Sequence, residues 1–229
     1  MAPHRMSVSR EDRGAVTWLT LSRPAAAGSA FCAGHDLKEM RAIGDREALL
    51  ALFRQCSRMM MTLRRLPQPV IARVQGLATA AGCQLVAMCD LVVAAESATF
   101  AVSGINVGLS CSTPVVALSR QIDRKHALEM LLTGDFIDAH AAEARGLVNR
   151  VVPAERLDEE IDLLAASILG KSPAAVASGK RLFYEQAELG IDAAYERAAE
   201  VMARDMTSED AGEGIDAFLE KRPPHWKGR

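Results

Sequence analysis

Residues 69–102, PVIARVQGLATAAGCQLVAMCDLVVAAESATFAV, contain the pattern from which the fold class is predicted. The first part, PVIARV (69–74), is short, apolar and rich in β-branched residues, which predicts a strand. A turn then leads into a compact apolar helix over AGCQLVAM (81–88). DLVVAAE (90–96) and ATFAV (98–102) predict two further buried strands. Apolar strands alternating with a helix are typical of a sheet covered by helices, so the sequence predicts an α/β fold.

The chain before this stretch predicts one strand and one helix. AVTWLTL (15–21) alternates and is halted by Arg23 and Pro24, as expected for a strand. Asp45 can cap a helix running to about Leu66, because apolar residues recur there at helical spacing.

The chain after this stretch is predicted to be mostly helical from Thr113 onward. Asp138, Ser172 and Ser208 are candidate N-caps of three successive helices. LVNRVVP (147–153) predicts a short extended piece between the first two.

Composition limits the class of protein. The 229 residues are enough for one large domain or one domain with an appendage. Hydrophobic residues make up 49% and charged residues 24%, which excludes disorder as the bulk state. The net charge of -2 offers no general attraction for nucleic acid.

Targeting and membrane signals are not evident in the sequence. No run reaches the roughly 20 apolar residues that a membrane crossing needs, since Asp90 interrupts the longest candidate. The first residues lack the apolar segment of a signal peptide. The expectation is a cytoplasmic protein that binds neither membranes nor nucleic acid.

The five cysteines are odd in number and show no paired CxxC spacing. They lie mostly in apolar stretches, so they are expected to be reduced, buried thiols, and no metal site is predicted. They are Cys32, Cys56, Cys83, Cys89 and Cys111.

Two turns rich in small residues are the first candidates for chemistry. They are SAFCAGHDLKEM (29–40) and GLATAAGCQLVAMCD (76–90), and the second leads into a helix. Amides at a helix N-terminus are unpaired and carry partial positive charge, so two such turns facing each other could form an oxyanion hole. The alternative interpretation is a pair of close-packed turns with no chemical role. Neither turn matches a nucleotide-binding glycine motif.

Three segments together resemble the crotonase superfamily, also called the enoyl-CoA hydratase/isomerase family. They are AFCAGHDLKEM (30–40), the stretch 69–102, and MLLTGDFIDAHAAEARGLVNRVVP (130–153), and they occur in the family's order. The resemblance runs from about Ala15 to the C-terminus. It implies an α/β crotonase (ClpP-like) fold of stacked ββα units, with residues 1–150 as the core and residues 151–229 as a helical trimerisation region.

The resemblance also implies the site. Family members bind an acyl-CoA thioester and polarise its carbonyl with two backbone amides, which by position are those of His35 and Ala81. It implies no cofactor, since coenzyme A is part of the substrate, and it implies a homotrimer or a dimer of trimers. The implied substrate-binding residues are Ala33, Asp36, Leu37, Lys38, Phe218 and Lys221. For Lys38, a solvated charge is the alternative.

The sequence departs from the family pattern at both catalytic carboxylates. A hydratase of this family uses two glutamates, and the corresponding residues are Gln84 and Gly104. An amide cannot accept and return a proton near neutral pH. We therefore expect crotonyl-CoA hydration to be weak or absent, with Gln84 orienting an acyl group or water. His35 as a base is an alternative, although a ring need not follow its own amide into the hole.

A second departure concerns length. Family members carry a helix and a strand between the first strand and the AFCAG turn, where only residues 25–30 stand here. Losing about 40 residues between Pro24 and Phe31 would remove a core strand, at a cost above the usual stability margin of about 5 to 15 kcal/mol. The favoured expectation is that these residues belong to the protein and are missing from the chain; a true deletion is the alternative.

These observations lead to a primary hypothesis and two alternatives. The primary hypothesis is an acyl-CoA-binding crotonase-type enzyme, of the lyase/isomerase type, that stabilises a thioester enolate. The alternatives are a non-catalytic acyl-CoA-binding or scaffold homologue and a CoA-thioester hydrolase. The residues also resemble the branch called enoyl-CoA hydratase domain-containing, which keeps the fold without the two glutamates.

Overall fold

The computed structural model describes residues 7–22 and 30–229. The strands are β1 (Ser7–Arg13), β2 (Val16–Ser22), β3 (Ala30–Cys32), β4 (Ile71–Val74), β5 (Leu77–Thr79), β6 (Leu91–Ala95), β7 (Thr99–Ala101), β8 (Ile137–Asp138) and β9 (Arg150–Val152). The helices are α1 (Leu37–Ile43), α2 (Arg46–Arg65), α3 (Ala81–Met88), α4 (Ser112–Leu118), α5 (Arg124–Thr133), α6 (Ala139–Ala144), α7 (Leu157–Leu169), α8 (Pro173–Gln186), α9 (Ile191–Met206) and α10 (Glu209–Glu220). Short 3-10 turns cover Ser103–Val107 and Ala154–Arg156.

The strands from β3 to β7 alternate between two sheets. One sheet has the order β3-β5-β7-β8 and the other has the order β4-β6-β9. The chain contributes β4 and β5, crosses through α3, and then contributes β6 and β7 to the same two sheets, with β6 parallel to β4 and β7 parallel to β5. These stacked ββα units form the predicted crotonase fold.

The core lies around these units and is built from small and branched side chains. Val74, Val86, Val93, Phe100 and Leu118 are all fully buried. Each such side chain contributes roughly 1.5–3 kcal/mol by leaving water. Because alanine and glycine fill most remaining core positions, backbones can approach closely, which matters at the site described below.

The capping residues predicted from the sequence begin their helices as expected. The Asp45 carboxylate accepts a hydrogen bond from the Ala48 amide at 2.8 Å at the start of α2. Asp138, Ser172 and Ser208 likewise accept amide hydrogen bonds at the starts of α6, α8 and α10. These helix starts are local signals, and the structure confirms them.

Four strands are missed by the sequence analysis: β1, β3, β5 and β8. Of these, β3 and β8 are only three and two residues long. β1 is polar, with the sequence SVSREDR, and its alternation is hidden by charged residues; it pairs with β2 as an antiparallel hairpin. β5 lies inside the segment expected to be a turn, and only its pairing with β3 and β7 makes it a strand. Residues 23–29, where the missing helix and strand would attach, lie outside the described residues, so that expectation stays a prediction.

The chain forms two compact units. One contains Met1–Leu63 and Ile71–Asp162, and the other contains Arg64–Val70 and Leu163–Arg229. The predicted boundary between residues 150 and 151 stays a prediction.

Membrane-spanning helices and metal-binding clusters can be assessed only for the part of the chain that the structure describes. Among these residues no single helix is long and apolar enough to cross a membrane, and one bent pair, Ala154–Leu169 with Pro173–Gln186, meets the criteria of length and composition. The same residues contain no group of three or more His, Cys, Asp or Glu side chains placed to hold a metal ion.

Candidate active site

The start of α3 has an unusual backbone. Its N-cap, Ala80, has φ 51° and ψ -119°, in a region that favours glycine, and no side chain caps the helix. Such a conformation costs about 1–3 kcal/mol and tends to persist at functional sites. Ala81 is the first helical residue, so its amide has no intrahelical acceptor and lies at the positive end of the helix dipole.

The turn after β3 packs directly against this helix start. Gly34 has φ 86°, and a Cβ added there would lie 3.1 Å from the Ala81 nitrogen and 3.2 Å from the Ala80 Cβ. Only glycine fits both the conformation and the space. The turn that carries the His35 amide and the helix start that carries the Ala81 amide are therefore in van der Waals contact. Within the described residues, neither amide donates to a main-chain carbonyl.

Gly82 fixes the approach of α3 to β3. A Cβ at this position would overlap the carbonyl oxygen of Cys32 and lie 2.7 Å from its carbonyl carbon. Backbone cannot move aside as a flexible side chain can. The absence of a side chain at Gly82 therefore sets how closely the two turns meet.

Gln84 lies on the same face of α3 as Ala81, three residues further along. The side chain is 5% exposed, and its Oε1 is buried without a hydrogen-bond partner. Its backbone amide is engaged normally, donating to the Ala80 carbonyl at 3.0 Å. The unpaired group is therefore the side-chain amide.

Gly104 leaves no room for a side chain. A Cβ there would lie 2.7 Å from the Leu109 carbonyl oxygen and 2.8 Å from the Cys111 Sγ, and the Gly104 amide lies 3.3 Å from the same sulfur. The turn is folded around the glycine. Neither position that corresponds to a family glutamate carries a carboxylate.

A hydroxyl pair that the sequence analysis missed links the two turns beside these positions. The Thr79 Oγ1 and the Ser103 Oγ are 2.8 Å apart. Thr79 ends β5 just before the helix start, and Ser103 precedes Gly104. The signal was the parallel pairing of β5 with β7, which becomes visible only once the register Thr79 with Ala101 is known.

The His35 side chain packs on an aromatic ring. Its imidazole meets the Phe53 ring edge-on, with centroids 5.8 Å apart. Burial lowers the pKa of His35 below its ordinary value, because the cationic form loses hydration. Burial therefore favours the neutral form of the ring.

The residues implied as coenzyme A contacts have different environments. The Asp36 carboxylate accepts from the Lys38 amide at 2.8 Å and the Glu39 amide at 3.2 Å, which makes Asp36 the N-cap of α1. Ala33 and Lys38 are exposed, and Leu37 is 53% exposed. These surfaces are open to a ligand.

Phe218 and Lys221 belong to the second unit, at the end of α10. Phe218 is 82% exposed, and Lys221 is the left-handed C-cap of the helix, with φ 57°. Their participation in binding coenzyme A stays a prediction.

The cysteines are free thiols, but only two are buried. Cys83 and Cys111 are buried, while Cys32, Cys56 and Cys89 are partly exposed, so the expectation of buried thiols holds for two of the five. Burial raises the pKa of the Cys83 thiol to about 12, with a contribution from Cys111. Cys83 is therefore inert at neutral pH despite its place in α3.

The alternating ββα units and the contacting turns define the class of protein. Residues 25–229 match the family model described as enoyl-CoA hydratase/isomerase. The chain belongs to this family, the crotonase superfamily.

Within this family, the chain is similar to several named proteins and solved structures. The chain is 48% identical over 201 residues to "Enoyl-CoA hydratase domain-containing protein 3, mitochondrial" of Rattus norvegicus, covering 88% of this chain and 67% of the relative. Among solved structures, human enoyl Coenzyme A hydratase domain-containing protein 3 is 39% identical with a TM-score of 0.92, covering 96% of this chain and 99% of that one. An enoyl-CoA hydratase of Mycobacterium smegmatis is 60% identical with a TM-score of 0.86, covering 87% and 78%.

The expected cytoplasmic location is contradicted. Five relatives that are 46–48% identical to this chain are all named mitochondrial. The cytoplasmic location was expected because no signal peptide for export is evident. The lack of such a peptide says nothing about targeting to other compartments.

Proposed function

We propose that this protein binds an acyl-CoA thioester with its carbonyl oxygen between the amides of His35 and Ala81. The contact between the Gly34 turn and the start of α3 supports this proposal, because within the described part of the chain neither amide donates to a main-chain carbonyl. Negative charge grows on that oxygen as an enolate forms. Donors aimed at it therefore stabilise the transition state more than the substrate.

The coenzyme A portion is proposed to lie along Ala33, Asp36, Leu37 and Lys38. Leu37 offers an exposed apolar surface, and Lys38 is an exposed cation that can pair with a phosphate. Asp36 contributes by capping α1 and holding these neighbours in place. Coenzyme A enters as part of the substrate, and no separate cofactor is proposed. Phe218 and Lys221 are proposed as further contacts, within a homotrimer or a dimer of trimers.

Hydration by the usual two-carboxylate route is proposed to be weak or absent. A positioned acid or base contributes roughly 10² to 10⁴ in rate, and Gln84 and Gly104 supply neither. The same observation favours a second candidate, a homologue that binds acyl-CoA without turning it over.

A panel of CoA esters separates the two candidates. Enoyl-, hydroxyacyl- and malonyl-type thioesters are incubated with the purified protein, and binding, product and free CoA are measured. An enzyme gives product from at least one ester, whereas the second candidate gives binding without turnover, and release of free CoA identifies a hydrolase. Crotonyl-CoA hydration at about 10 per second or faster, the median for enzymes, would contradict the proposed loss of acid and base.

The amide of Ala81 can be tested separately. Proline is tolerated at the first position of a helix and lacks an N–H, so Ala81→Pro removes the donor, whereas Ala81→Gly retains it. In the carbon-13-edited infrared spectrum, the bound thioester carbonyl is expected at lower frequency in the wild type and in Ala81→Gly. Folded Ala81→Pro is expected to lose most of that shift, and any turnover should fall roughly 10²- to 10³-fold. An unchanged carbonyl frequency in folded Ala81→Pro would refute the proposed oxygen position.

A further inference from the structure

Two residues other than glycine have a positive φ in the described part of the chain. One is Ala80, at the candidate active site, and the other is Lys221, the C-cap of α10, with φ 57°. A left-handed conformation is unfavourable for a lysine, and glycine is the usual residue at this place in a helix C-terminus. Backbone outliers of this kind concentrate at functional sites. A function at Lys221 would explain why a lysine stands there.

Hydrogen bonds on both sides of Lys221 hold this conformation. The amides of Lys221 and Arg222 donate to carbonyls in the last turn of α10. The Arg222 guanidinium donates to both carboxylate oxygens of Glu213, at 2.6 and 3.0 Å, and the His225 amide donates to the same carboxylate at 2.7 Å. Because Glu213 lies about two helical turns before Lys221, its carboxylate holds the chain that follows Lys221 back along α10.

This turn leaves two side chains uncovered at the end of α10. Phe218 is 82% exposed, and Lys221, three residues further on, is exposed and makes no ion pair within the described residues. The neighbouring cation, Arg222, is already paired with Glu213. An unpaired ammonium group near an exposed aromatic ring suits a ligand that carries both a phosphate and a base. The nucleotide end of coenzyme A carries both.

We propose that the Glu213–Arg222 ion pair holds Lys221 in its left-handed conformation and thereby presents Lys221 and Phe218 to the nucleotide end of the acyl-CoA ligand. This inference rests on the proposed acyl-CoA function. Glu213 and Arg222 are positioning residues, because they act through Lys221. A two-point pair between a guanidinium and a carboxylate has a defined geometry, so it fixes the direction of the chain as well as its position.

The sign of one effect separates positioning from simple electrostatics. Coenzyme A is an anion, so removing the negative charge of Glu213 would by itself strengthen its binding. Loss of positioning weakens binding instead, and only for a ligand that has the nucleotide. Calorimetry on the full chain is expected to show that Glu213→Gln binds butyryl-CoA about 10-fold more weakly than the wild type and binds butyryl-pantetheine equally well.

The matched control is Glu209→Gln, at the other end of α10. Glu209 pairs with Lys227 and Arg229 rather than with Arg222, so this variant removes an equal charge from the same helix and leaves the turn at Lys221 in place. Its affinity for butyryl-CoA should stay equal to that of the wild type or rise slightly. A loss equal to that of Glu213→Gln would contradict the proposal.

Lys221→Gly tests the contact itself. Glycine suits φ 57°, so the free energy of unfolding should not fall. The affinity for butyryl-CoA should nevertheless fall about 10-fold, while the affinity for butyryl-pantetheine stays unchanged. Weaker binding without loss of stability is a combination that a purely structural role of Lys221 does not give.

The remaining outcomes decide different points. Unchanged butyryl-CoA affinity in folded Glu213→Gln, or an equal loss for both ligands, would overturn the positioning role and leave acyl-CoA binding intact. If Glu213→Gln does not fold, Arg222→Lys takes its place: it keeps the charge, loses the two-point geometry and should weaken only butyryl-CoA binding, and no loss would overturn the proposal. A wild-type protein that binds neither ligand would instead refute the proposed function itself.

Discussion

At the scale of single residues, this site depends on side chains that are absent. Gly34 and Gly82 let two segments of backbone come into contact, and Gly104 lets the Ser103–Val107 turn pack against Leu109 and Cys111. Backbone amides do the proposed work, which explains how alanines at positions 80 and 81 are compatible with it. The cost appears at Ala80, whose backbone conformation favours glycine.

Gly82→Ala is expected to lower the free energy of unfolding by about 1–3 kcal/mol, because the new methyl group would overlap the Cys32 carbonyl and push α3 away from β3. Urea denaturation measures this change. Acyl-CoA binding should weaken as well, since the two proposed donors would separate.

The matched control is Gly179→Ala, at an exposed position inside α8 where an added Cβ meets nothing within 4 Å. It should raise the free energy of unfolding by about 0.5–1 kcal/mol through helix propensity. If Gly82→Ala were as stable as Gly179→Ala, this result would contradict the close contact between Gly82 of α3 and the Cys32 carbonyl of β3.

At the scale of elements, two carboxylates of α10 hydrogen-bond to the residues that follow this helix. The buried Asp210 carboxylate accepts from the Ser172 hydroxyl and from the amides of Lys227 and Gly228. Glu213 accepts from the Arg222 guanidinium at 2.6 and 3.0 Å and from the His225 amide at 2.7 Å. The residues after α10 thus fold back along it.

This arrangement predicts a pH dependence of stability. The Arg222 hydrogen bonds, with the His225 amide, lower the pKa of Glu213 from 4.5 to about 2. A carboxylate with a lowered pKa in the folded state contributes stability that is complete above the unfolded pKa and is lost as the pH falls toward the folded one. The stability difference between wild type and Glu213→Gln should therefore be full at pH 7 and shrink between about pH 5 and pH 2.

Chemical denaturation at a series of pH values measures this difference. Glu196→Gln, on the exposed surface of α9, is the matched control for the loss of a carboxylate. A difference for Glu213→Gln that is constant from pH 7 to the acid limit would show that the ion pair contributes nothing to folding.

At the scale of the whole molecule, the described surface of the second unit leaves an apolar stripe uncovered. Ile191, Tyr195, Met202 and Met206 follow one another along α9 at spacings of 4, 7 and 4, and each is 54–72% exposed. Exposed apolar stripes of this kind mark interaction surfaces. We therefore propose this stripe as an interaction surface of the homotrimer, or dimer of trimers, that the family resemblance implies.

Sedimentation analysis is expected to give a mass of three or six chains. Tyr195→Glu combined with Met202→Glu should shift the mass toward the single chain, because charges would be buried at the interface. Glu196→Lys, which changes charge outside the stripe, should leave the assembly unchanged. A wild-type chain that sediments as a monomer at micromolar concentration would contradict the predicted oligomer.

Caps and apolar periodicity are local signals, so the sequence predicted the helix starts at Asp45, Asp138, Ser172 and Ser208. The family, and with it the ββα order, came from the resemblance that three ordered motifs carry. It also indicated that both catalytic carboxylates are replaced.

The arrangement of the candidate site follows from tertiary contacts. Tertiary packing brought Gly34 against Ala81 and Thr79 against Ser103, left no space at Gly104, and isolated the Gln84 amide. It also made strands of β1 and β5 through their pairing partners. The physical reason is that contacts between residues far apart in the chain follow from packing and strand register, which no local pattern specifies.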